Sequence, residues 1–116
     1  MSDHELLELA AKVACIDMEW HWEAGKAISC INPHPEDEAL SEIEVWPEWN
    51  PLTDDGDALR LAVAVGLSVS ITNYEAGAHT WGGYGSCELY SDHPDRGSAT
   101  RRAIVRAAAE IGRAGT

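Results

Sequence analysis

The spacing of apolar residues changes along this chain from helical to alternating and back, which restricts it to folds that pack helices on a sheet. Leu6, Leu9, Ala10 and Val13 recur at 3.6-residue spacing behind Ser2-Asp3-His4-Glu5, where Ser and Glu have the separation of a capping box, and they predict a helix over about Asp3–Cys15. Met18, Trp20 and Trp22 then alternate with Asp17, Glu19 and His21, and Glu23-Ala24-Gly25 supplies a turn before Lys26–Ile31, so this stretch reads as a β-hairpin. Two prolines and three acids mark residues 32–38 as a loop, leading to a short extended piece at Ile43–Trp46.

After Trp49-Asn50-Pro51, the run Thr53-Asp54-Asp55-Gly56-Asp57 puts capping and acidic residues at the positive end of a second helix. That helix continues through Ala58–Val65, with Leu59, Ala62 and Val63 expected to face inward, and Gly66 ends it. Leu67, Val69 and Ile71 alternate with serines and threonine as a half-buried strand. Residues 74–85 read as a loop rich in Gly and aromatics, and Cys87–Tyr90 as one more strand. Asp92–Ser98 is turn-rich, and an apolar stripe of Ile104, Ala107, Ala108 and Ile111 defines a terminal helix over about Ser98–Ile111. The fold class expected is α+β: an antiparallel sheet covered by helices, an α-β-α sandwich forming a single domain over residues 1–116.

A chain of 116 residues can bury one continuous core without staples. The three cysteines, Cys15, Cys30 and Cys87, are odd in number and contain no CxxC pair, so neither a disulfide framework nor a zinc knuckle is indicated. No apolar run approaches the about eighteen residues of a membrane span, and the N-terminus lacks the basic-then-apolar pattern of a secretory signal, so the expected place is the cytoplasm. Trp20, Trp22, Trp46 and Trp49 give more aromatic surface than a core of this size readily buries, which predicts a homo-oligomer.

The formal net charge of -12 argues against direct nucleic-acid binding through phosphates. Its distribution is uneven. Nine carboxylates and no Lys or Arg lie between Glu36 and Asp57, whereas five arginines (Arg96, Arg101, Arg102, Arg106 and Arg113) against Glu110 lie between Arg96 and Arg113.

Nothing local suggests catalysis, since GxSxG is absent, and His4, His21, His34, His79 and His93 show no HxxxH or HExxH spacing for a metal. Asp54-Asp55-Gly56-Asp57 lacks the alternating ligands and terminal Glu of a calcium loop. Gly82-Gly83-Tyr84-Gly85 lacks the remaining elements of a phosphate loop. The more specific constellation is Arg96 ahead of a helix whose first turn is expected to hold Thr100, Arg101 and Arg102, because free N–H groups and guanidinium forks can converge there on a phosphate. The competing reading is that these arginines pair with the chain's own acids. Trp81 and Tyr84 just upstream can stack on a base or cap the sheet edge.

Trp49-Asn50-Pro51-Leu52-Thr53-Asp54-Asp55-Gly56-Asp57-Ala58, followed by helix, strand, Gly-rich stretch and Arg102-Ala103-Ile104-Val105-Arg106-Ala107-Ala108, resembles the small phage proteins grouped as phage ABA sandwich or NinX-like. The likeness spans about Trp49–Ile111, with Val105 where that group often has Cys. The grouping includes the Thoeris anti-defence sponges, some of which also capture CBASS cyclic oligonucleotides. The resemblance implies an oligomeric, non-enzymatic phage protein acting in the bacterial cytoplasm, with nucleotide pockets at subunit boundaries and no cofactor. On that reading Arg101 and Arg102 hold phosphates, Arg96 and His93 line the approach, and Trp81 or Tyr84 stacks the base. A different class of function follows from the acidity alone: a DNA-mimic inhibitor whose carboxylates occupy a basic groove on a host nuclease or CRISPR complex.

Overall fold

The computed structural model describes residues 2–14, 18–23, 26–31, 48–80, 83 and 85–114, with the strands in 18–31 as backbone only. Helix α1 (Asp3–Val13) is capped by Ser2, whose hydroxyl accepts the Glu5 N–H at 3.2 Å, as the sequence predicts. Strands β1 (Met18–Glu23) and β2 (Lys26–Ile31) form the expected antiparallel hairpin pair, as a two-stranded sheet of their own. The extended piece expected at Ile43–Trp46 lies outside the described residues.

Helix α2 (Asp55–Val65) starts at Asp54, whose carboxylate accepts the Asp57 N–H at 2.8 Å, and ends at Gly66 with φ 80°. That left-handed conformation is the one glycine adopts without Cβ strain. Ahead of α2 the chain is tied down by Asp57, a buried carboxylate that accepts the Asn50 N–H at 2.9 Å and Arg60 Nη2 at 2.7 Å. Trp49 and Pro51 are thereby held in the core.

Strands β3 (Ser68–Ile71), β4 (Glu75–His79) and β5 (Gly85–Leu89) form an antiparallel sheet in the order β3-β4-β5. Directly opposed residues share a face, so Val69, Ala78 and Ser86 form one row and Ile71, Ala76 and Glu88 the next. Helix α3 (Arg96–Ala114) packs across that face against β4 and β5, and α1 and α2 pack against α3 in turn. The chain is thus α+β. No described helix is long and apolar enough to cross a membrane.

Small residues make this packing possible. Ala99, Ala103, Ala107, Ala108, Ala109 and Gly112 are all buried on α3, as are Ala76 and Ala78 beneath it. A Cβ at Gly112 would stand 2.5 Å from the Leu9 carbonyl oxygen, so only glycine lets α1 approach α3 this closely.

Three expectations fail. Strand β3, expected to be half-buried, is exposed at every residue because the terminal helix covers β4 and β5 instead. The central strand β4 falls within residues 74–85, read from the sequence as a loop; Ala76-Gly77-Ala78 has little β-propensity, and β3, β5 and the overlying helix impose the strand. The inward face of α2 is Ala58, Leu61 and Ala62, while Leu59 and Val63 are 63% and 74% exposed. The apolar stripe of α2 is wider than the strip α3 covers, and the seating of Asp57 turns residues 59 and 63 outward.

Candidate ligand groove

The geometry of the terminal helix begins with its cap. Asp95 accepts the Ser98 backbone N–H at 2.7 Å, and that bond, assisted by Arg101, holds its carboxyl below the ordinary carboxylate range. The helix therefore starts at Arg96, earlier than expected, and a carboxylate already occupies the place foreseen for a ligand phosphate. Thr100, Arg101 and Arg102 consequently fall in the second turn rather than the first.

Neighbouring helical residues project about 100° apart, and the two adjacent arginines separate accordingly. Arg101 turns toward α2. Its Nε donates to the Leu52 carbonyl at 2.9 Å, Nη1 to Asp55 Oδ1 at 2.6 Å and Nη2 to Ser98 Oγ at 3.1 Å. Arg102 turns toward α1 and pairs with Asp3 Oδ1 at 3.0 Å. The two do not converge on one phosphate.

Arg96 and Arg101 do meet. Both line an open groove of about 600 Å³ whose walls include Leu59 of α2, Val69 and Ile71 of β3, and Ile104 of α3. The groove exists because α3 covers β4 and β5 but leaves the apolar face of β3 open, while α2 packs against α3 beside it. The Arg96 guanidinium lies 5.0 Å from the centre of the Tyr90 ring and donates to the Asn73 carbonyl at 3.4 Å. Both arginines thus have defined positions. Three of the five N–H donors of Arg101 are used in these bonds, leaving two for a ligand.

His93 does not line this groove. Its Nε2 contacts Glu88 Oε1 at 2.8 Å, and Glu88 also pairs with Arg106, so His93 ties the turn before α3 to β5. Trp81 and Tyr84 lie outside the described residues. The sequence reading missed Leu59, Val69, Ile71 and Ile104 as groove residues. A signal was present: Leu59 and Val63, one turn apart, widen the apolar stripe of α2 beyond what one contact buries.

The groove combines an apolar wall with two fixed cations and can hold an anion attached to a flat apolar group. No protein-family model, curated protein or solved structure matches the chain.

Proposed function

We propose that this protein is a phage anti-defence sponge that binds a cyclic nucleotide, of the cyclic ADP-ribose or CBASS oligonucleotide type, and holds it without turning it over. The carrying observation is the pairing of Arg96 and Arg101 with the Leu59, Val69 and Ile71 wall in one groove. Guanidinium forks suit phosphate oxygens, and the apolar wall suits the face of a base. Asp55 competes for Arg101 but is 84% exposed, so its ion pair is screened and a phosphate can displace it.

The groove is proposed to hold its ligand without turning it over. Its described lining contains no Cys, His or Ser, and the Thr100 hydroxyl is engaged with the Arg96 carbonyl at 2.8 Å. Among the described residues β3 is an edge strand beside the groove, which further supports assembly of copies that would wall the pocket from a second side.

Mimicry of DNA by the acidic segment draws less support. Asp54 caps α2 and Asp57 is buried and anchors Asn50, so two of the segment's carboxylates serve the fold itself. Isothermal titration with cyclic ADP-ribose isomers and cyclic di- and trinucleotides, followed by chromatography of the recovered ligand, tests the reading. Micromolar binding with intact ligand is expected; no binding, or cleaved ligand, rejects it.

A further inference from the structure

Half of the chain's six arginines lie on one strip of α3 away from the groove: Arg102, Arg106 and Arg113. At about 100° per residue, these positions fall within an arc of about 40°. Together with Leu6 and Glu110 they line a hollow of about 290 Å³. Arg106 and Glu110 also line a neighbouring hollow of about 340 Å³, where Gly83, Gly85, Ser86 and Cys87 form the other wall. Three cations around one cavity are unexpected in a chain of net charge -12.

The intramolecular partners of these arginines differ in kind. Glu88, itself 10% exposed and held by His93, fixes Arg106 between the two hollows. Asp3, which pairs with Arg102, and Glu110, one partner of Arg113, are 65% and 42% exposed, so these two ion pairs are weak and can yield to a stronger anion. In the second hollow the Ser86 hydroxyl oxygen is buried and has no hydrogen-bond partner among the described residues. A buried hydroxyl in that state is a ready donor to an incoming oxyanion.

We propose that these joined hollows form a binding site for a diphosphate group, separate from the nucleotide groove and independent of its function. One phosphate sits between Ser86 Oγ and Arg106, and the other between Arg102 and Arg113, with Arg106 bridging the two. Among the described residues Glu110 is the carboxylate that lines both hollows, and Arg113 Nη2 pairs with its two oxygens at 2.8 and 2.6 Å. Its remaining charge opposes the ligand, so removing that charge should improve binding.

Titration of the full chain with inorganic diphosphate, phosphate and ADP, followed calorimetrically, tests the site. Diphosphate should bind at least about tenfold more tightly than phosphate, and Arg102→Ala and Arg113→Ala should each weaken it roughly ten- to a hundredfold. Glu110→Gln should tighten it, a gain that misfolding cannot produce, and Arg101→Ala should leave it unchanged. Tighter binding of ADP than of diphosphate identifies a nucleotide as the source of the group, and equal binding the free anion; either supports the site when Arg102→Ala and Arg113→Ala weaken it and Arg101→Ala does not, whereas ADP or diphosphate binding lost only in Arg101→Ala belongs to the groove and overturns the site. Absence of diphosphate binding at about 1 mM, equal affinity for phosphate, or indifference to Arg102→Ala and Arg113→Ala would overturn it and leave the arginines as braces of α3.

Discussion

Arg101 and Asp55 join the second turn of α3 to the start of α2, with Nη1 and Oδ1 2.6 Å apart at the rim of the groove. The pair is unequal: the arginine side chain is 17% exposed and the aspartate 84%. Most of what positions Arg101 is therefore its bond to the Leu52 carbonyl, and Asp55 is a replaceable counter-ion.

Two substitutions separate these roles. Arg101→Ala should weaken nucleotide binding roughly ten- to a hundredfold and cost about 1–2 kcal/mol of stability through the lost Leu52 contact. Asp55→Asn should strengthen binding by up to about fivefold, because it frees the guanidinium of a competitor. Titration calorimetry with parallel thermal melting reads both. Weaker binding by Asp55→Asn would show that the carboxylate orients Arg101 rather than competing for it.

Assembly through β3 can be tested without disturbing the sheet. Thr72 N–H bonds to the Glu75 carbonyl in β4, so by the two-residue period the N–H groups of Val69 and Ile71 point away from β4, to the outer edge of the described sheet. Val69→Pro removes one edge donor and keeps the β4 ladder. Light scattering should show at least a dimer for the parent chain and a smaller species for the variant. A parent chain that stays monomeric would remove the argument for pockets at subunit boundaries.

The α1–α3 contact should be intolerant of even one methyl group. Gly112→Ala places a Cβ against the Leu9 carbonyl, where backbone must shift, and should destabilise the protein by about 1–3 kcal/mol despite the better helix propensity of alanine. Urea unfolding measures the loss. An unchanged midpoint would mean that the two helices separate at little cost.

Asp95 should make the protein acid-sensitive. Its carboxyl is held low, first by the Ser98 N–H and further by Arg101, so the folded state binds this proton less readily than the unfolded chain. Stabilisation is present above the ordinary carboxylate range and is lost as pH falls through and below it. Asp95→Asn keeps an N-cap acceptor but cannot titrate, so the variant should lose less stability than the parent between neutral pH and about pH 3. Parallel losses in urea titrations at the two pH values would exclude this role.

Local chemistry determined much of this fold. Ser2 and Asp54 cap their helices through bonds to residues three positions on, Gly66 needs no tertiary partner to end α2, and Met18–Ile31 carries its own alternation and turn residues. Those features were legible because each depends on neighbours within a few residues. The placement of the groove was not local. Ala76-Gly77-Ala78 becomes a central strand only between β3 and β5 under α3, and Leu59 becomes a groove wall only because Asp57 fixes the rotation of α2. Arg101 and Arg102 are adjacent in sequence yet face different neighbours, α2 and α1, because the helical step of about 100° sends them apart. Residue types decided which chemistry was present, and tertiary packing, which alone fixes helix phase and strand coverage, decided which of those groups share a cavity.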